Sequence, residues 1–228
     1  MCDETTDGYY FCSNDVVLFD LEPRAEPVSL VAIANGRALD VLYSLSTLRP
    51  VRQVLFLDYN PAQIAHLRRV IDLIGQSRDR HAFLADLLCL TVPPPVWNRL
   101  GEIPADGTSG VGAFLPVAEF GERERAFWAG VDFDAAAFRA RHGLTAEKTA
   151  DGLRVDAAVM GGFNRYLVTL LPLPDDHDSE RIPVFGMGYG QGFLASDHSF
   201  ATVQALLAAT PISFQCGDAA VILEPALQ

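Results

Sequence analysis

The stretch Val28 to Gln63, VSLVAIANGRALDVLYSLSTLRPVRQVLFLDYNPAQ, decides the fold of this chain. It predicts strand, turn, helix, strand, turn. Val28 to Ala34 is a short apolar run closed by Asn35-Gly36, the polar punctuation expected where a buried parallel strand gives way to a helix. Arg37 to Leu48 then carries Leu39, Leu42, Tyr43 and Leu45 at near-helical spacing, until Pro50 stops it. Val51 to Leu57 is a second apolar run and ends in Asp58. Two such strands joined by a helix predict an α/β fold with a Rossmann-like sheet.

Asp58 follows Gly36 by about 20 residues, the separation at which a doubly wound sheet sets a carboxylate against a nucleotide ribose. The two ribose hydroxyls are donors and an ionised carboxylate is a two-oxygen acceptor, so the bonds are charge-assisted. The turn after the first strand lets backbone N–H groups meet a ligand near a helix N-terminus, where the dipole favours an anion. One glycine stands where a dinucleotide fingerprint carries three, which favours a smaller nucleoside ligand over a pyrophosphate. The same pattern also occurs in α/β domains where the acid merely ends a strand.

AIANGRALDVL followed by LDYNPAQ resembles the S-adenosylmethionine 3-amino-3-carboxypropyl transferases of the betaine-lipid type, which have a class I methyltransferase-like fold. That family pairs an AIA-type strand end, a Gly/Asn turn and an Ala-Leu helix start with Asp-x-Asn-Pro-Ala-Gln. Asp58, Asn60, Pro61, Ala62 and Gln63 match the second motif at every fixed position. Upstream, Cys12-Ser13-Asn14-Asp15 is similar to the family's Cys-Trp-Glu-Asp at Cys12 and Asp15; downstream, Phe200 to Leu206 and Ile212 to Asp218 resemble its later helix and third strand. The resemblance implies S-adenosyl-L-methionine as co-substrate. It sets Ala34, Asn35 and Gly36 at the methionine end, Asp58 at the ribose with Asn60 and Gln63 beside it, and Gly217 and Asp218 at the adenine. The implied reaction moves the 3-amino-3-carboxypropyl group to an acceptor and releases methylthioadenosine. Cyclisation of the same ligand to azetidine-2-carboxylate, ordinary methyl transfer and a non-catalytic binding module are the alternatives.

A chain of 228 residues, half of them hydrophobic and 20% charged, has the composition of a globular protein with one substantial core. The formal net charge of -12 disfavours nucleic acid and an anionic membrane surface, since no basic run offsets the repulsion. A small-molecule substrate is expected. No apolar stretch reaches the length of a membrane span, and MCDETTDGYY lacks the basic start and apolar middle of a signal peptide, so a cytoplasmic location is expected. Cys2, Cys12, Cys89 and Cys216 are scattered without a C-x-x-C pair, which predicts neither a zinc site nor a disulfide framework.

Tyr9, Tyr10 and Phe11 read as an N-terminal arm packed on the core or as a ring over the ligand's sulfonium. Asn60-Pro61 opens a helix with an N-cap and a first-position proline. Ile64, Leu67, Ile71 and Ile74 make its buried stripe, with His66 off the stripe as a solvated residue and Gly75 at its end. Ser77 to Leu90 predicts another helix, closed by Pro93-Pro94-Pro95. Gly101 to Gly121 reads as a long loop, followed by helical patterns at Glu122 to Ala129 and Phe133 to His142.

Within Val155 to Leu173 the polar trio Asn164, Arg165 and Tyr166 sits in an apolar run and needs partners, either a substrate carboxylate or a core hydrogen-bond network. Asp175-Asp176-His177-Asp178 reads as a solvated loop rather than a metal site. Gly186 to Gly192 lacks the Lys-Ser/Thr ending of a phosphate loop and reads as a connection placed to close over the site, with Tyr189 and Gln191 its large functional side chains. Asn164, Tyr166 and Tyr189 are therefore the catalytic candidates. Asp197 caps a helix to about Ala209, and Ile212 to Cys216 is a third strand. The whole reads as a single Rossmann-like domain over residues 1–228, with a helical and loop insertion over approximately residues 78–195. Phe163 to Leu171 and Val184 to Phe185 are the candidates to complete its sheet.

Overall fold

Val28–Ile33 (β1) and Val51–Asp58 (β2) pair in parallel, joined by the helix Ala38–Leu48 (α1), as the βαβ pattern requires. These relations come from a computed structural model, which describes residues 23–34, 37–102, 116–159, 162–172, 181–185 and 188–217, with the side chains of 157–159 and 162–164 outside the description. Asn35, Gly36 and Asp218 lie outside the described residues, as do Tyr9 to Phe11, the Cys12 to Asp15 motif and the Asp175 to Asp178 turn.

After β2 come the helices Pro61–Gln76 (α2) and Arg80–Leu88 (α3), the strand Leu90–Thr91 (β3) and the short helix Pro94–Trp97 (α4). Val117–Trp128 (α5), Asp132–Phe133 (β4) and Ala135–His142 (α6) follow. Thr145–Lys148 (β5), Leu153–Val159 (β6), Gly162–Thr169 (β7) and Arg181–Pro183 (β8) then form a four-stranded sheet in that order, antiparallel except for the parallel β7–β8 pair. Asp197–Ala209 (α7) leads into Ile212–Cys216 (β9), which pairs in parallel with β2, giving the sheet order β1-β2-β9. The fold is thus α/β with a parallel, Rossmann-like sheet and a long insertion between its second and third strands.

The insertion is not only helical. Phe163 to Leu171 does contribute a strand, but it joins the separate β5–β8 sheet, and Val184-Phe185 is a turn. The reason is pattern: β7 alternates, with Arg165 exposed and Tyr166 buried, which suits a sheet with one face in water rather than a parallel strand. β1 also departs from expectation, since Val31 and Ile33 are 43% and 56% exposed. Alternation sends Leu30 to the helix-covered side of the sheet, together with Phe56 and Phe214, whose rings lie 5.6 Å apart beneath Arg68 of α2.

Local chemistry explains the helix ends. Asn60 accepts a hydrogen bond from Ala62 N–H with Pro61 in the first turn, as predicted. α7 is capped by Ser196 in a reciprocal capping box with Ser199, not by Asp197, which is instead its first-turn acid. α2 runs one residue past Gly75, and α3 starts at Arg80 because the Asp79 carboxylate caps it. A core running from Leu39 and Phe56 through Phe83 and Trp128 to Val155 and Phe193 joins the three-stranded sheet to the four-stranded one, beside the small β3–β4 pair.

Candidate functional site

A parallel sheet brings all its carboxyl ends to one edge, and this one brings three predicted ligand contacts together. Ala34 N–H donates to Leu57 O and Gly217 N–H to Asp58 O, each at 2.9 Å, so the ladder continues past the strands into the loops. Ala34, Asp58 and Gly217 therefore stand on neighbouring strand ends, about 5 Å apart from strand to strand. Asn60 and the buried Gln63 lie just beyond, in the cap and first turn of α2. The N-termini of α1 and α2 open on the same edge, because each helix follows a strand that ends there.

Asp58 is nearly buried, and its Oδ1 accepts from Asn60 N–H at 2.9 Å. Burial pushes its carboxyl above the ordinary carboxylate range, while the N–H groups of Asn60 and Tyr59 pull it back. All these donors come from its own turn. Tyr59 follows in the chain with half of its surface exposed. An aromatic residue between a strand's last acid and a helix N-cap is the only sequence signal for Tyr59.

Tyr189 belongs to a second cluster. Its hydroxyl lies 2.8 Å from His81 Nε2, and its ring, that of His81 and that of Trp97 are nearly parallel neighbours. Arg80 sits 4.5 Å over the Tyr189 ring. Burial lowers the His81 pKa, with Arg80 adding to the effect, and burial raises that of Tyr189. Both shifts favour the neutral forms, so the contact is a hydrogen bond between a neutral imidazole and a neutral phenol. Nothing in the sequence announced this pair, since its members are 108 residues apart.

Asn164 and Tyr166 lie on β7, in the second sheet, opposite Ala157 and Val155. Tyr166 is buried in the core. Arg165 turns outward and holds Asp156 through two hydrogen bonds of 2.6 and 3.1 Å, lowering that carboxyl's pKa. A cross-strand ion pair, not a substrate, is the partner Arg165 has found.

Glu124 has no signal in the sequence, and His66, expected to be solvated, is buried. Glu124 on α5 is fully buried; its Oε1 accepts from Leu170 N–H at 2.8 Å and Leu171 N–H at 2.6 Å, and its Oε2 from Trp128 Nε1–H at 2.6 Å. Desolvation pushes its pKa to about 7 against those bonds. His66 is buried rather than solvated, because α6 packs over it: the His142 ring lies edge-on at 5.9 Å. His142 Nε2 is 2.8 Å from Leu87 O, and burial lowers its pKa to about 4.

Among the described residues no group of three His, Cys, Asp or Glu side chains is placed to hold a metal ion. No helix among them is long and apolar enough to cross a membrane. Cys216, at the end of β9, is disulfide-bonded and Cys89 is free. A bridge was not expected from spacing, because cysteines paired across a fold leave no local motif. Compared with known proteins, the chain matches no family model, no curated protein and no solved structure.

Proposed function

We propose that the carboxyl edge of the β1-β2-β9 sheet binds S-adenosyl-L-methionine and that the protein transfers its 3-amino-3-carboxypropyl group to a small-molecule acceptor. What carries the reading is Asp58: a carboxylate at the end of the middle strand, flanked by the ends of both neighbours and followed by the Asn-Pro cap of α2. The ribose hydroxyls would donate to Asp58, the adenine would lie toward Gly217 and Asp218, and the methionine end toward Ala34, Asn35 and Gly36. The half-exposed Tyr59, next in the chain, is an aromatic side chain of the kind a purine or a sulfonium favours.

In this chemistry a nucleophile attacks the γ-carbon of the methionine chain. The C–S bond breaks, its electron pair goes to sulfur, and neutral methylthioadenosine leaves. The chain's task is alignment, because misplacement of the attacked carbon costs effective molarity steeply. Asn164, Tyr166 and Tyr189 stand as the acceptor-side candidates, and of these Tyr189 has a neutral imidazole, His81, within hydrogen-bonding distance.

The test is product analysis. The protein incubated with S-adenosylmethionine and a small-molecule extract should release methylthioadenosine above a no-enzyme control, read by mass spectrometry. Enzyme-dependent S-adenosylhomocysteine as the main product would show a methyltransferase instead, and azetidine-2-carboxylate formed without any acceptor would show a cyclase. Absence of binding by calorimetry would remove the ligand altogether.

A further inference from the structure

We propose that Arg80 is a positioning residue that fixes the first turn of α1 through the strap formed by residues 189–195, so that the strand edge and the Tyr189–His81 pair are mechanically one unit. The strap leaves the second sheet at Leu170, whose carbonyl accepts from Tyr189 N–H at 2.5 Å, and ends at the cap of α7. Its backbone turns at Gly188, Gly190 and Gly192, with φ of +80°, +89° and +53°. At Gly188 a side chain would also meet Leu170 O and Pro172 N at 2.8 Å, so the approach to the second sheet is fixed by backbone.

One guanidinium holds both ends of this strap. Arg80 Nη1 donates to Leu194 O and to Ala195 O, each at 2.7 Å, while its Cζ stacks over the Tyr189 ring and its Nε faces Asp197 at 3.4 Å. The side chain is only 16% exposed, and its bond to Leu194 O is partly shielded from water, which strengthens a charge-assisted bond. Gly190 N–H closes the loop on the same Leu194 carbonyl at 3.1 Å.

From the middle of the strap, Phe193 N–H donates to Oδ1 of Asp40 at 3.2 Å. Asp40 is buried in the first turn of α1. The connection runs from α1 through Asp40, the backbone of Phe193 and Leu194, and Arg80 to Tyr189 and His81, its non-covalent links being hydrogen bonds and one cation–π contact. Phe193 itself is buried against Phe185 and Phe200. The strap is consequently a tie rather than a free flap.

Hydrogen–deuterium exchange of the intact protein, with no ligand added, tests this independently of the proposed reaction. Arg80→Met should raise exchange in peptides covering 189–195 and in those covering the first turn of α1 by about tenfold or more, the scale expected for a lost charge-assisted bond. The first turn of α2 should stay protected, and Arg80→Lys should restore part of the effect. Asp40→Ala should loosen the first turn of α1 while leaving Tyr189 protected, which separates the two ends of the tie. Faster exchange confined to 189–195 in Arg80→Met, with α1 unchanged, would overturn the coupling; so would a uniform rise across the chain, which means only general destabilisation. If the proposed reading of the strand edge also holds, Arg80→Met should weaken S-adenosylmethionine binding as well. A wild-type protein that binds no S-adenosylmethionine but shows the predicted exchange pattern would sink that reading and keep the tie.

Discussion

The three-stranded parallel sheet and the four-stranded sheet treat a buried carboxylate in opposite ways. Asp58 stands at the open end of the parallel sheet and takes its donors from Asn60 and Tyr59, within its own turn. Glu124 stands against the corner of the mixed sheet and takes two of its donors from Leu170 and Leu171, which are 46 and 47 residues away. Both carboxyls are raised by desolvation. The first can be altered by untying one turn, whereas the second joins α5 to the second sheet. A parallel sheet leaves its carboxyl ends facing outward because every crossover must return to the other edge, and an antiparallel hairpin consumes its own ends. Fold support therefore belongs to Glu124, and Asp58 is left for the proposed ligand contact.

The largest expected effect lies at Glu124. Glu124→Leu strands two backbone N–H groups and the Trp128 indole N–H in the core, and should cost about 3–5 kcal/mol of unfolding free energy. Urea denaturation reads this directly. A loss below about 1 kcal/mol would mean that the three donors find other partners.

The same site gives a pH signature. Glu124 has a folded pKa of about 7, above its ordinary 4.5, so its contribution to stability is complete below pH 4.5 and is lost as pH rises through 7. His142 has the reverse sign: its pKa drops from 6.5 to about 4, so its contribution is complete above pH 6.5 and is lost as pH falls through 4. The two slopes oppose each other between pH 4.5 and 6.5. In Glu124→Gln the Glu124 slope disappears, and stability should rise with pH across that window. Denaturation midpoints taken at several pH values for both proteins check the sign, and identical profiles would show that Glu124 does not titrate there.

Asp58→Asn sharpens the other side of the comparison. The amide oxygen can still accept from Asn60 N–H, so the turn survives while the charge is lost. Binding of S-adenosylmethionine should fall by roughly ten- to 150-fold, the equivalent of about 1.5–3 kcal/mol, with little change in the unfolding midpoint. Titration calorimetry and thermal melts together decide it. A folded variant with wild-type affinity would detach the ribose from Asp58.

What the sequence made legible divides along the same line. The parallel strands are continuous apolar runs closed by turn residues, and the Asn60-Pro61 cap is written locally, so β1, α1, β2 and the start of α2 could be read directly. The strand edge followed from them, because Ala34, Asp58 and Gly217 are strand ends. The second sheet was hidden. β5 is only Thr145–Lys148, with a lysine and a glutamate among its four residues, and β8 is three residues long. Such strands exist because neighbours pair with them, not through propensity. His66 and Glu124 were likewise misjudged or missed, since their burial comes from α6 and from Leu170-Leu171, which are distant in sequence. His81 became a partner of Tyr189 only when the strap closed.

The smallest expected effect is at Tyr189, and it distinguishes a catalytic phenol from an anchoring one. Tyr189→Phe removes a single hydrogen bond to His81 and keeps the ring that stacks on Trp97 and lies beneath Arg80. The expected loss of stability is about 0.5–1.5 kcal/mol. If Tyr189 acts only as the anchor of the strap, methylthioadenosine release should fall less than about tenfold, because Arg80 still grips Leu194 and Ala195. If it exchanges the acceptor's proton with His81, the turnover should fall by about 10²–10⁴ with the melting temperature almost unchanged. Its place on the tie, held among His81, Trp97 and Arg80, leads us to expect the smaller loss. Turnover measured beside the thermal melt separates the two, and a large fall in rate without a fall in stability would return Tyr189 to the catalytic machinery.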